Sequence, residues 1–325
     1  MRATLPDYVV IDYNVVNDYI ATMSSFTTAD VPSLSGRTVV VTGASGGVGR
    51  VTATVLAAKG ARVILAVRSE EKGHAAAATM DGDTEVRRLD LADLSSVRAF
   101  AESLTEPIDV LINNAGISIP PLERTADGFE SQFGTNHLGH FALTNLLLPQ
   151  VRDRVVIIGS LAHLIGRIDF TDLNWHRRRY RPYPAYGQSK LANHLTAHEL
   201  QRRLSSVGSS VISVVAHPGI ATTNLMNVEG RGLRYRIERS VIHTIAQPAE
   251  AGALPSIYAA VAEIPGGSSI GPSRLMGLRG APAPAKRAIK THRSDDARRL
   301  WKESERLTGT VFPFDTDQPR AASGR

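Results

Sequence analysis

The chain has 325 residues, 42% of them hydrophobic and 21% charged, which is enough apolar material for a sizeable core and too little charge for global disorder. It contains no cysteine, so a disulfide framework, a thiolate metal site and a cysteine nucleophile are excluded together. The net charge of +6 comes from 37 Lys and Arg against 31 Asp and Glu. Much of the excess sits in local runs, Arg177-Arg178-Arg179 and the segment from Lys286 to Arg299, which read as solvated surface rather than a nucleic-acid face. No window reaches the roughly 18 consecutive apolar residues of a membrane span. The opening segment around Tyr8 to Val16 is too polar and acidic for a signal or transit peptide. These features predict a soluble, cytoplasmic protein without a membrane anchor.

Residues 1 to 35 carry no sustained period and end in the turn-rich Pro32-Ser33-Leu34-Ser35-Gly36, so they are expected to form a flexible extension. Met23 opens a stretch that would serve as a natural start, and residues 1 to 22 are expected to be mobile or to precede the true beginning. Arg37 to Thr42 is a β-branched strand that runs into Gly43-Ala44-Ser45-Gly46-Gly47-Val48-Gly49. An amphipathic helix from about Val48 to Lys59 follows. Strand, glycine turn and helix form the context of a phosphate-binding loop, because glycine admits close backbone approach and the helix start presents partial positive charge.

The second strand, Arg62 to Val67, ends where a dinucleotide site selects its cofactor. An acidic residue there suits the 2′-hydroxyl of NAD, whereas an arginine suits a 2′-phosphate. Arg68 follows Val67, and NADP(H) is therefore expected in preference to NAD(H). Glu85 to Leu91 reads as a further strand end, with Asp90 where an adenine edge fits. A helix over Leu94 to Leu104 and a buried strand over Ile108 to Ile112 lead to Asn113-Asn114-Ala115-Gly116.

A long helix is predicted over Gly128 to Leu148, its buried stripe supplied by Phe129, Phe133, His137, Phe141 and Leu148. His140 interrupts that stripe and reads as a hydrogen-bonded interior group, since metal partners at suitable spacing are missing. The strand Arg154 to Ser160 delivers Ser160 at its carboxyl end. A helix from about Tyr186 to Leu204 carries Tyr186 and Lys190 four residues apart, hence on one face. A cation beside a phenol favours the phenolate, which would lower the Tyr186 pKa toward neutrality and make it a usable acid or base. The loop Asn174 to Tyr183, with Trp175, Tyr180 and four arginines, lies between Ser160 and Tyr186 and reads as an exposed basic loop in preference to a pocket wall for an aromatic or anionic substrate.

The strand Val211 to Val215 ends in His217-Pro218-Gly219-Ile220-Ala221-Thr222. Residues 223 to 247 are polar and basic and are read as a substrate lid. A helix over Ala249 to Ala262 precedes an edge strand near Ser268 to Pro272. Residues 281 to 285 read as an Ala/Pro linker, and Asp295 to Leu307 as an amphipathic helix that docks through Ala297, Leu300, Trp301 and Leu307. The last dozen residues are expected to be disordered. The predicted fold is a Rossmann-type doubly wound parallel sheet with helices on both faces, over residues 36–280, with a C-terminal helical extension over 281–325.

Together these residues resemble the short-chain dehydrogenase/reductase family. Its Thr-Gly-x-x-x-Gly-x-Gly pattern falls on Thr42, Gly43, Gly47 and Gly49, its Asn-Asn-Ala-Gly on Asn113 to Gly116, and its Tyr-x-x-x-Lys on Tyr186 and Lys190. The resemblance spans residues 36 to about 275. The segment from Asn136 to Phe141 and the long interval between Ser160 and Tyr186 are most similar to the branch holding retinol dehydrogenases and WW-domain-containing oxidoreductases. Light-dependent protochlorophyllide reductases, of the same branch, need a cysteine that this chain lacks.

The resemblance implies a catalytic tetrad of Asn136, Ser160, Tyr186 and Lys190, acting on a small-molecule carbonyl or alcohol. Ser160 would hydrogen-bond the substrate oxygen, Tyr186 pass the proton, Lys190 hold the nicotinamide ribose and Asn136 position a relay water. It implies cofactor contacts from Gly43, Ser45, Gly47, Val48, Gly49, Arg68, Asp90, Leu91, Asn114, Ala115, Gly116, Tyr186, Lys190, Pro218, Gly219, Ile220 and Thr222, and no metal. Family members pair through the helices carrying Asn136 and Tyr186, although members of this branch can be monomers, so a monomer or homodimer is expected. Two departures stand out: Gly159 occupies a position where a second serine is common, and Gly46 leaves the glycine loop without a basic residue. A non-catalytic NADP-binding regulator is the rival reading, disfavoured because the whole tetrad is present.

Overall fold

The computed structural model describes residues 26–220, 246–285 and 294–315. The expected extension over 1–22, most of the expected lid over 223–247, Thr222 and the last dozen residues, apart from Phe314 and Asp315, lie outside the described residues.

The β-branched runs form strands because each carries apolar side chains in both phases of a period of two. In chain order the elements are β1 (Thr38–Thr42), α1 (Gly47–Ala58), β2 (Arg62–Val67), α2 (Glu70–Ala77), β3 (Thr84–Arg88), α3 (Leu94–Ser103) and β4 (Ile108–Asn113). Helix α4 follows as one turn over Ser131–Phe133, a π-helical stretch over Gly134–Leu138 and a regular stretch over Gly139–Leu147. Then come β5 (Val151–Ile158), α5 (Pro182–Ser206), β6 (Ile212–Ala216), α6 (Ala249–Val261), β7 (Ser269–Arg274), β8 (Arg279–Pro284) and α7 (Ser294–Thr308).

These strands form one sheet in the order β3-β2-β1-β4-β5-β6-β7-β8, parallel throughout except for the β7–β8 pair. Alternate residues of each central strand serve two cores. Val40, Ile64, Leu111 and Val155 pack under α3, α4, α5 and α7, whereas Val41, Leu65, Ile112 and Val156 pack under α1 and α6. This is the expected doubly wound α/β sheet. The strand order, running outward from β1 to β3 on one side and from β4 to β8 on the other, reverses between β1 and β4, and ligands bind open sheets of this kind at the carboxyl ends beside that switch point.

Several expectations need correction. Residues 26–35 belong to the body: Phe26 meets Tyr258 edge-on at 4.9 Å, and Val31 and Leu34 are buried beneath α1 and α6. The Ala/Pro stretch is strand β8, paired Gly271↔Ala283 and Pro272↔Pro282, so β7 is not the edge. Proline lacks an amide hydrogen, which an outermost strand tolerates, and that composition disguised the strand as a linker. Helix α2, capped by the Ser69 hydroxyl on the Lys72 amide, escaped sequence reading because its face is mostly alanine and charge. Helix α4 begins at Ser131 instead of Gly128, where the buried Glu130 carboxylate caps the amides of Gln132 and Phe133.

The amphipathic C-terminal helix docks as expected. Ala297, Leu300 and Trp301 are buried, the Trp301 ring meets Phe141 at 4.8 Å, and His137 Nε2 and Ser304 Oγ are hydrogen-bonded at 2.8 Å. Helix α7 thereby covers part of α4 and α5, the elements that carry Asn136 and Tyr186.

Candidate active site

The glycine loop sits where β1 turns into α1. Gly43 and Gly47 both adopt left-handed backbone, φ +67° and +55°, which only glycine takes without strain. Gly49 is fixed by space: a Cβ there would lie 2.3 Å from Asn114 Nδ2 and 2.7 Å from the Gly43 carbonyl. Gly46 precedes the helix with extended backbone, and neither a side-chain cap nor an acidic first-turn residue competes for the leading amides. The loop therefore has an uncapped helix start and a cradle that any Cβ would fill, which fits a dinucleotide pyrophosphate. Val48 is buried beside it, and Ser45 is partly exposed at its rim.

Thr42 ties this loop to the end of β4. Its hydroxyl accepts from the amides of Asn114 and Ala115, both at 2.9 Å, while the Asn114 side-chain amide donates to the Thr42 carbonyl at 2.8 Å. His140 Nδ1 donates to the Asn136 carbonyl at 3.1 Å, so its Nε2 is the acceptor for the Thr42 hydroxyl at 2.9 Å. His140 is thus a neutral strut between α4 and β1, its pKa lowered by burial to about 4. That is the interior role expected of it.

Arg68 is exposed just past the end of β2, and Arg88 ends the neighbouring β3. Asp90 accepts from the Ala92 amide at 3.0 Å, and the buried Leu91 presents its carbonyl against Gly139. On the far side of the crevice Gly219 has φ +65°, and the Ile220 amide donates to the Leu278 carbonyl at 3.2 Å. Gln247 braces this turn: its amide donates to the Ile220 carbonyl at 2.8 Å and its side chain to the Pro218 carbonyl at 2.9 Å. Sequence reasoning missed Gln247, because a lone glutamine carries no motif.

The four expected catalytic residues converge from α4, β5 and α5. Asn136 lies in the π-helical stretch of α4, a distortion common at functional sites. Its side chain accepts from the Ile117 amide at 2.8 Å and donates to the Ile117 carbonyl and the Ser189 hydroxyl, both at 3.0 Å. Asn136 is therefore spent on holding the loop after β4. A Cβ on Gly116 would stand 3.1 Å from Asn136 Oδ1 and 3.8 Å from Lys190 Nζ, which brings all three residues together. The same loop is pinned at Ile119, a β-branched residue at φ +59°, whose amide donates to Gln132 Oε1 at 2.9 Å. Gln132 in turn donates to the Tyr180 hydroxyl at 2.9 Å.

Ser160 caps a short 3₁₀ turn over Leu161–Leu164, its hydroxyl accepting from the Ala162 amide at 3.2 Å, and lies close enough to the Tyr186 phenol to influence its ionisation. The Lys190 ammonium donates to the Ile158 carbonyl at 3.0 Å and stands 5.8 Å from the Tyr186 ring centre. Burial pushes the Tyr186 phenol up, offset in part by the Ser160 hydroxyl, and pulls Lys190 down to about 8. The expected lowering of Tyr186 by Lys190 is therefore overturned. The ammonium is engaged by a strand carbonyl, and desolvation of the phenol outweighs its distant charge.

The loop from Asn174 to Tyr183 is more ordered than its composition suggested. Asp172 accepts from the amides of His176, Arg177 and Arg178 at 2.7, 3.2 and 3.0 Å. The Arg178 guanidinium stacks on Trp175 at 3.6 Å and donates to Gln188 Oε1 at 2.7 Å. Only Arg177, Arg179 and Arg181 of its four arginines are exposed. Among the described residues no cluster of His, Asp or Glu suits a metal ion, and no helix is long and apolar enough to cross a membrane.

Comparison with known proteins agrees with this arrangement. The profile of the short chain dehydrogenase family matches residues 37–232. Human retinol dehydrogenase 13 is 42% identical over 321 residues, covering 94% of this chain and 93% of its own. Mouse polyprenol dehydrogenase is 40% identical over 296 residues, covering 86% of each. Among solved structures, a protein of Mycobacterium paratuberculosis is 51% identical with a TM-score of 0.79, covering 89% of this chain and 99% of its own. A Pseudomonas aeruginosa protein in an NADP active-site complex is 26% identical with a TM-score of 0.57, covering 73% and 94%. The chain belongs to the short-chain dehydrogenase family, on its retinol dehydrogenase branch, and is an oxidoreductase acting on CH–OH or C=O groups.

Proposed function

We propose that the protein is an NADP(H)-dependent reductase or dehydrogenase in which Tyr186 exchanges a proton with the substrate oxygen. The observation that carries this reading is the convergence of Ser160, Tyr186 and Lys190 beside the strand ends, with Lys190 Nζ 3.0 Å from the Ile158 carbonyl that ends β5 just before Ser160, and 5.8 Å from the Tyr186 ring centre. The bound nicotinamide supplies the hydride. The chain's own residues bind, orient and protonate. The leading amides of α1 and the glycines at 43, 47 and 49 receive the pyrophosphate. Arg68 gives a positive end to the 2′-position, which supports NADP(H) over NAD(H).

Ser160 and Tyr186 form a pair of hydroxyls that can face one substrate oxygen. Negative charge grows on that oxygen as a carbonyl is reduced, and hydrogen bonds fixed beforehand stabilise it without reorganisation. The proton leaves Tyr186 Oη for the substrate oxygen. A neighbouring cation would stabilise the phenolate, and Lys190, buried 5.8 Å from the Tyr186 ring centre, is the residue that would supply it and would also hold the nicotinamide ribose. Asn136 contributes by fixing the Ile117 backbone after β4, its side-chain donors and acceptor being engaged there and on Ser189. The names of the relatives, retinol and polyprenol dehydrogenases, make an apolar allylic alcohol or its aldehyde the first substrate to try.

The test is a panel of aldehydes, ketones and alcohols, all-trans-retinal among them, assayed with NADPH, NADH and the oxidised cofactors. Turnover is expected with a preference for the phosphorylated cofactor, and Tyr186→Phe is expected to abolish it while NADPH still binds. Undiminished turnover in Tyr186→Phe would refute the proposed chemistry.

A further inference from the structure

Against the Ser160 backbone lies a pair of buried histidines that the mechanism above does not use. His163 sits on the 3₁₀ turn that Ser160 caps. Its Nδ1 lies 2.6 Å from the Ser160 carbonyl, and its backbone amide donates to the same oxygen at 3.1 Å. A carbonyl only accepts, so Nδ1 carries the proton and Nε2 is bare. The His163 ring stacks on His194, with centres 3.9 Å apart and planes inclined by 25°. His194 follows Lys190 by one helical turn on α5, and burial keeps both imidazoles neutral by lowering their pKa values. Among the described residues, neither nitrogen of His194, nor Nε2 of His163, has a hydrogen-bond partner.

The position of His194 depends on the residue before Ser160. A Cβ at Gly159 would stand 2.5 Å from His194 Nε2 and 3.2 Å from its Cδ2, a separation that real side chains do not show. Gly159 has no left-handed backbone to explain it, so its small size is explained chiefly by this ring, with Val215 Cγ1 at 3.1 Å a second, looser neighbour. The two nearest causes of Ser160 placement are thus coupled: glycine at 159 admits the His194 ring, that ring supports His163, and His163 holds the Ser160 carbonyl. The Ser160 hydroxyl is the other end of the same residue, and it also accepts from the Ala162 amide at 3.2 Å.

We propose that His163 is a positioning residue for the Ser160 hydroxyl, and that Gly159 and His194 are a matched pair that seats it. The inference rests on the reading of Ser160 and Tyr186 given above. An angular error of the hydroxyl displaces the hydrogen bond to the substrate oxygen, and misplacement by about 1 Å costs on the order of a hundredfold in rate. Binding of the dinucleotide, whose contacts lie on the glycine loop and the strand ends, does not depend on that angle.

Two sets of variants of the full chain test this. His163→Leu keeps a buried apolar body and removes the N–H; His163→Asn keeps a donor near the place of Nδ1. With NADPH and the fastest carbonyl of the panel, His163→Leu is expected to lower kcat by roughly 10- to 100-fold. NADPH affinity should stay within about twofold, and His163→Asn should regain most of the loss. Retained kcat in His163→Leu, an equal loss in His163→Asn, or a loss of NADPH affinity that matches the loss of kcat would overturn the positioning role.

The second set needs no substrate. Gly159→Ser forces its side chain into the His194 ring and should lower the melting temperature by roughly 3–6 °C, as overpacking does. The double variant Gly159→Ser with His194→Ala should recover it, because neighbouring substitutions that share one space are non-additive. Additive effects would overturn the matched pair. Tyr186→Phe in the same assay separates the two levels: an active Tyr186→Phe defeats the site reading, whereas an inactive Tyr186→Phe beside an active His163→Leu defeats only this inference.

Discussion

Thr42 offers the sharpest test of how the crevice is held together. Its side chain is fully buried, and one hydroxyl serves the amides of Asn114 and Ala115 and the imidazole of His140, each at 2.9 Å. Thr42→Val has nearly the same shape, so it removes the hydroxyl without opening a cavity. Two amide donors and one imidazole acceptor then lose their partner. An unsatisfied buried group costs about 1–3 kcal/mol. Asn114 and Ala115 are only partly buried, which puts their amides at the low end because water can reach them. About 1 kcal/mol for each amide and 1–3 kcal/mol for His140 give a loss of roughly 3–5 kcal/mol. Thr42→Ser keeps the hydroxyl and loses one buried methyl group, a cost of about 1 kcal/mol. Urea unfolding of the three proteins measures both differences. NADPH titration should also show weaker binding in Thr42→Val, since Asn114 and Ala115 line the glycine loop. A Thr42→Val loss no larger than that of Thr42→Ser would refute the account, because it would mean that the three hydrogen bonds contribute nothing net.

Other consequences follow from the same structure. His137, His140 and His217 are held neutral by burial, with pKa values lowered from 6.5 to about 3, 4 and 4. The unfolded chain therefore binds more protons than the folded one below pH 6.5, and stability falls as pH drops from about 6.5 toward 4. The loss is on the order of 2 kcal/mol per histidine by pH 5, and a urea midpoint that rises on acidification to pH 5 would contradict it. Trp301→Ala should destabilise by about 3–5 kcal/mol, since the ring is buried against Phe141 and beneath the Arg203 guanidinium at 4.7 Å; calorimetry reads this. Arg68→Gln should weaken NADPH by about 10- to 100-fold, the worth of one charge-assisted hydrogen bond, while leaving NADH unchanged. Equal effects on both cofactors would remove Arg68 from the 2′-phosphate.

What the sequence determined by itself was whatever rests on local chemistry. The β-branched runs, the glycines at 43, 47 and 49 and the four-residue spacing of Tyr186 and Lys190 made the doubly wound sheet, the phosphate-binding loop and one face of α5 legible, because strand period, turn conformation and helix geometry are set by near neighbours. Only the tertiary structure decided features that depend on what a residue meets across the fold. Strand β8 was hidden because its prolines suit an edge and nothing local says where the edge is. Gly159 is explained by His194, 35 residues later in the chain, and Gly49 by Asn114. Spacing alone predicts that Lys190 lowers the Tyr186 phenol, yet burial raises it while the Lys190 ammonium is held by the Ile158 carbonyl. Ionisation and packing are properties of an environment assembled from distant segments, so they appear only when those segments are in place.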